Sequence, residues 1–108
     1  MKFKSTLGLR VKMMEFEAIG RRLREAFGDR VEEVIIFGSR VRGDHREDSD
    51  LDVLLVLKDE IKAEDWDEIG KLSAELTLEL GISVMIVPPH TSKKDSLYNT
   101  AKTEGIAV

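Results

Sequence analysis

The sequence predicts an α/β domain built on a mixed β-sheet of about four strands backed by helices. Three observations predict it. Segments with apolar residues at helical spacing alternate along the chain with short runs of β-branched and aliphatic residues. Glycines and a Pro-Pro pair stand where those segments should stop. The run Leu51-Asp52-Val53-Leu54-Leu55-Val56-Leu57 is nearly continuous in apolar residues after Asp52, as a strand is when helices cover both of its faces. The order α-β-α-β-α-β-α, with a short closing strand, gives a layered α/β domain.

From about Val11 to Phe27, the residues Phe16, Ile19, Leu23 and Phe27 recur at helical spacing, and Gly28 supplies a stop. A strand follows over Val31 to Phe37. Gly38-Ser39 then makes a turn that opens a short helix, and the polar residues Asp44 to Ser49 read as loop. The second strand closes at Asp59-Glu60. A long helix runs from about Ala63 to Leu80, with Trp66, Ile69, Leu72, Leu76 and Leu80 as its core stripe. Its acids Glu64, Asp65, Asp67 and Glu68 lie near the N-terminus, where they favour the helix dipole. Gly81 ends it. The strand Ile82 to Val87 is stopped by Pro88-Pro89. A polar helix from about Lys93 to Thr103 leads to Gly105-Ile106-Ala107-Val108, which reads as a short edge strand. Tyr98 on that helix is an accessory base or a partner contact at most.

The 108 residues read as one domain, 1–108, without repeats, low-complexity tracts or linkers. Acidic side chains number 21 against 17 basic, a net charge of −4, which makes nucleic acid an unlikely direct ligand. No cysteine is present, which excludes disulfides and thiolate metal sites, and two histidines are too few for a zinc site of familiar spacing. The basic start lacks the apolar stretch of a signal peptide, and no segment approaches the ~20 apolar residues that cross a bilayer. A soluble, cytoplasmic protein is the expectation.

The chemistry concentrates at Gly38-Ser39, ten intervening residues, and Asp50-Leu51-Asp52. Side chains two apart on a strand share a face, so Asp50 and Asp52 should project together, about 7 Å apart at the usual strand rise. Like charges so placed repel unless a cation lies between them, and a divalent metal is the usual remedy. A glycine ending the preceding strand lets backbone approach a phosphate, and the start of a following helix offers free N–H groups and positive dipole. Ser39 can cap that helix, meet a phosphate oxygen, or do both. Arg40, Arg42 and Arg46 cluster in the loop, where guanidinium suits phosphate geometry. Ser49 reads as ordering the loop before Asp50, and His45 as an exposed loop residue. A metal pair beside a phosphate cradle points to Mg-nucleotide chemistry.

The segment GSRVRGDHREDSDLDVLLVL resembles the signature of the DNA polymerase β-like nucleotidyltransferases, and more closely that of the minimal nucleotidyltransferase (MNT) proteins. The likeness is strongest over residues 34–57. It implies a polymerase β-like core. It also implies that Asp50 and Asp52 ligate the Mg²⁺ that carries ATP or another NTP, and that Gly38, Ser39, Arg40, Arg42 and Ser49 belong to the phosphate side. Arg42 is the first choice among the arginines, because Gly-Ser-x-x-Arg-Gly is common in that family. The resemblance further implies an antitoxin, with an all-helical HEPN-type ribonuclease as its partner protein and a tyrosine on that partner as the acceptor of AMP. Self-association as a homo-oligomer is left open.

The chain departs from the family pattern at one place. Polymerase β-like transferases usually carry a third carboxylate on the next core strand, whereas Ile82-Ser83-Val84-Met85-Ile86-Val87 holds no acid. By alternation, Ser83 or Met85 occupies the matching position. The two expected functions are therefore a transferase that moves AMP to an acceptor hydroxyl, and a non-catalytic nucleotide- or partner-binding antitoxin that acts by occlusion. An antibiotic-modifying enzyme is disfavoured, since the chain has no second domain to hold a drug.

Overall fold

The computed structural model describes residues 2–38, 41, 50–88 and 96–108, with side chains from Met13 onward. Helix α1 spans Lys2–Phe27 and is followed by a 3-10 turn, Gly28–Arg30. Strands β1 (Val31–Phe37) and β2 (Leu51–Leu57) come next, then helix α2 (Ala63–Leu80), strand β3 (Val84–Val87), helix α3 (Ser96–Glu104) and strand β4 (Ile106–Ala107). The sheet order is β3-β2-β1-β4. β1 runs antiparallel to both β2 and β4, while β2 and β3 are parallel, joined by the α2 crossover. This is the mixed four-stranded sheet of the expected core.

Alternation along the central strands divides the interior. Val34, Ile36, Leu51, Val53 and Leu55 point to one face and pack against Phe16, Ile19 and Leu23 of α1 and Ile69, Leu72 and Leu76 of α2. Ile35, Phe37, Leu54 and Val56 point to the other and pack against Ala101, Leu97 and Tyr98 of α3. The apolar run of β2 thus has a helix on each side. Asp52 shares the α3-side parity of Leu54 and Val56.

Polar contacts tie the helices to the sheet. Arg30, between α1 and β1, donates from both terminal nitrogens to Asp65 of α2 at 2.8 Å and from Nε to Asp59 at 3.0 Å. The Asp65 carboxylate also accepts the Lys62 N–H at 2.8 Å, closing the first turn of α2. Arg22 of α1 bonds Glu75 and Glu79 of α2, both at 2.7 Å. On the opposite face Glu33 accepts from the Tyr98 hydroxyl at 2.7 Å and from Lys102 at 2.9 Å, which pins α3 to β1.

Several expected boundaries move. α1 begins at Lys2 rather than near Val11. β3 begins at Val84, because Ile82 and Ser83 belong to the turn after Gly81. α3 spans Ser96–Glu104, and residues 93–95 of the expected helix lie outside the described residues. Trp66 is not core: it is 55% exposed. The inward place in the first turn of α2 belongs to Asp65, bound to Arg30, and one residue further round, about 100°, carries the indole outward. Among the described residues, no helix is long and apolar enough to cross a membrane.

Candidate active site

The upper row of the α3-side face is set by strand register. Phe37 of β1 pairs with Asp52 of β2, and Asp52 pairs with Met85 of β3. One row below, Ile35, Leu54 and Val87 occupy the same face, where α3 covers them. The Phe37-Asp52-Met85 row stands at the end of the sheet from which Gly38 leaves β1 and at which Asp50 enters β2. Both Asp50 and Asp52 are half-buried.

Gly38 is where sequence and site meet most closely. Its φ is 96°, a conformation that side-chain-bearing residues rarely adopt, and it is buried. A Cβ built there would collide with Oδ2 of Asp52. The glycine therefore turns the chain out of β1 and leaves room for the Asp52 carboxylate against its backbone. The carbonyl of Gly38 accepts the N–H of Val41 at 3.1 Å, so the chain turns directly after the strand.

Asp50 is held from the other side. The N–H of Leu51, the residue between the two carboxylates, donates to the Ser83 carbonyl at 2.8 Å, which forms the first rung of the parallel β2-β3 ladder. Of the two residues left open for the third-carboxylate position, Met85 is the register partner of Asp52, and its side chain is 46% exposed. Among the described residues, no group of three or more His, Cys, Asp or Glu could hold a metal ion. Gly38, Asp50 and Asp52 are thus brought to one end of the sheet. Ser39, Arg40, Arg42, His45, Arg46 and Ser49 lie outside the described residues.

A mixed sheet of this order, with two carboxylates at the start of a central strand and a glycine turn backed against one of them, has the polymerase β-like nucleotidyltransferase fold. The family model described as the nucleotidyltransferase domain matches residues 17–108, and the chain belongs to that family. Protein adenylyltransferase MntA of Thermococcus cleftensis is 36% identical over 94 residues, covering 82% of this chain and 83% of that protein. A solved structure of a candidate minimal nucleotidyltransferase is 30% identical with a TM-score of 0.65, covering 93% of this chain and 95% of that one. A chain in the complex of the tri-AMPylated Shewanella oneidensis HEPN toxin with its MNT antitoxin shares the fold, at 18% identity and a TM-score of 0.63. That match covers 88% of this chain and 69% of that one.

Proposed function

We propose that the protein binds Mg-ATP and transfers AMP to a hydroxyl on a partner HEPN-type toxin. The observation that carries this reading is the fit of the Asp52 carboxylate against Gly38, on a strand that Asp50 immediately precedes. Two further facts support it: a relative of 36% identity is named a protein adenylyltransferase, and a fold neighbour occurs in a complex with an AMPylated HEPN toxin.

Asp50 and Asp52 suit Mg²⁺. They supply hard oxygen donors, and two carboxylates are the number Mg²⁺ commonly takes when phosphates and water complete its shell. When bound, the ion neutralises phosphate charge and polarises phosphoryl oxygens. The chain's own residues do the rest. Gly38 brings backbone close to the phosphates, and Ser39 adds a hydroxyl donor. Arg40 and Arg42 balance triphosphate charge, and Ser49 orders the approach to Asp50. An acceptor hydroxyl oxygen would then attack the α-phosphorus and give up its proton to water, the new P–O bond forming as the α–β anhydride breaks and pyrophosphate departs. The domain is small, so the acceptor pocket belongs to the partner.

A second reading, occlusion without transfer, is favoured by one observation. Met85 faces Asp52, and a thioether neither holds a second metal nor takes the acceptor's proton. The two readings separate when the chain is incubated with labelled ATP, Mg²⁺ and a HEPN-type partner. Label on the partner supports transfer, and a tight unlabelled complex supports occlusion.

A further inference from the structure

Thr77 stands seven residues before β3 and takes no part in the site as described so far. Its backbone carbonyl accepts the N–H of Gly81 at 2.9 Å, and Gly81, at φ 73°, is the left-handed cap that ends α2. Its side-chain Oγ1 accepts the N–H of Val84 at 2.9 Å. One residue therefore grips both ends of the α2-β3 turn.

The second of these bonds reaches further than the turn. The N–H of Val84 and the C=O of Ser83 belong to a single planar peptide unit and point in opposite directions. β3 is an edge strand. On its inner side, the Ser83 carbonyl accepts the N–H of Leu51 at 2.8 Å. On its outer side, where an edge strand would leave an N–H to water, Thr77 supplies the acceptor. The Ser83-Val84 peptide is thus clamped between a side chain of α2 and the backbone of β2. Leu51 is fully buried and lies between Asp50 and Asp52. Hydrogen bonds in series across one peptide also polarise each other.

We propose that Thr77 is a positioning residue for the Asp50-Asp52 pair, acting through the Ser83-Val84 peptide and the Leu51 amide. The inference rests on the nucleotidyltransferase reading for its consequence and on the hydrogen-bond chain for its geometry. A hydroxyl serving only to shield the sheet edge would contribute to stability and leave metal-nucleotide binding alone.

Thr77→Val keeps the shape and removes the acceptor, Thr77→Ser keeps the acceptor, and Asp65→Asn loosens the far end of the same helix as a stability control. Two quantities are read on the full chain: amide hydrogen exchange at Leu51 and Val84, and the Mg²⁺ concentration at half-maximal ATP binding. Thr77→Val should speed exchange at both amides and raise the Mg²⁺ midpoint about fivefold, the equivalent of one ordinary hydrogen bond. Thr77→Ser should match wild type on both, and Asp65→Asn should lower the melting temperature without moving the Mg²⁺ midpoint. In the wild-type protein, Mg-ATP should slow exchange at Val84 together with Leu51, a readout that needs no variant to fold. Leu51 exchange unchanged in Thr77→Val, an equal rise of the midpoint in Asp65→Asn, or a Val84 amide indifferent to Mg-ATP would each overturn the proposal. If wild type binds no Mg-ATP, the nucleotidyltransferase reading fails, and Leu51 exchange in Thr77→Val still decides whether Thr77 fixes the backbone between the carboxylates.

Discussion

Asp52 on β2 and Met85 on β3 are parallel register partners on the α3-side face of the sheet, so a carboxylate stands beside a thioether. Met85 is 46% exposed, and an acid put there is not sealed from water. The desolvation cost that normally forbids a new buried carboxylate is therefore small. Met85→Asp should fold, with a melting temperature lowered in metal-free buffer by repulsion from Asp52 and recovered when Mg²⁺ is added. If a second metal limits the rate, it should also speed AMP transfer in a single-turnover assay. A folded Met85→Asp protein with unchanged transfer would show that the third carboxylate is not what limits this chain.

Gly38→Ala should damage both fold and site. The positive φ and the overlap with the Asp52 carboxylate each oppose a Cβ, and the backbone conformation alone should cost roughly 1–3 kcal/mol. Denaturant titration reads that loss, and calorimetry should show weaker Mg-ATP binding. An alanine variant as stable as wild type would mean that the turn does not have the described conformation.

Acid should release the Arg30-Asp65 lock. The Arg30 guanidinium, and after it the Lys62 N–H, hold the Asp65 carboxyl down to about 2, below the ordinary value of about 3.9. A depressed carboxyl contributes stability that is complete above its unfolded value and is lost as pH falls through the folded one. The melting temperature should therefore drop between about pH 4 and pH 2 by more in wild type than in Asp65→Asn. Parallel curves for the two proteins would remove this pair from the account of acid unfolding.

Trp66→Ala should be mild. A buried Trp typically costs roughly 3–5 kcal/mol on truncation, whereas this half-exposed one should cost about 1 kcal/mol or less. A core-sized loss in urea unfolding would return the indole to the interior.

The parts of the fold legible in the sequence are those whose pattern is local. β1, β2 and α2 begin and end where apolar periodicity meets Gly28, Gly38, the Asp59-Glu60 pair and Gly81. The Gly38 and Asp50-x-Asp52 spacing is readable because it is local, and the structure sets Gly38 against the Asp52 carboxylate. What escaped depends on partners far along the chain. Asp65 reads as a dipole acid because its partner, Arg30, is 35 residues away, and periodicity alone assigns the inward place to Trp66. The choice between Ser83 and Met85 needed the β2-β3 register, which periodicity cannot supply. Thr77 carried no signal, since a threonine inside a helix says nothing about an edge N–H seven residues later.

The central claim is transfer of AMP by the site that Asp50 and Asp52 head. Mass spectrometry of a HEPN-type partner, after incubation with ATP, Mg²⁺ and this protein, tests it most directly. The account predicts AMP on the partner with the wild-type chain and none with Asp50→Asn/Asp52→Asn, while both proteins still bind the partner. A stable complex that carries no nucleotide adduct, and forms equally well with the double variant, would contradict it.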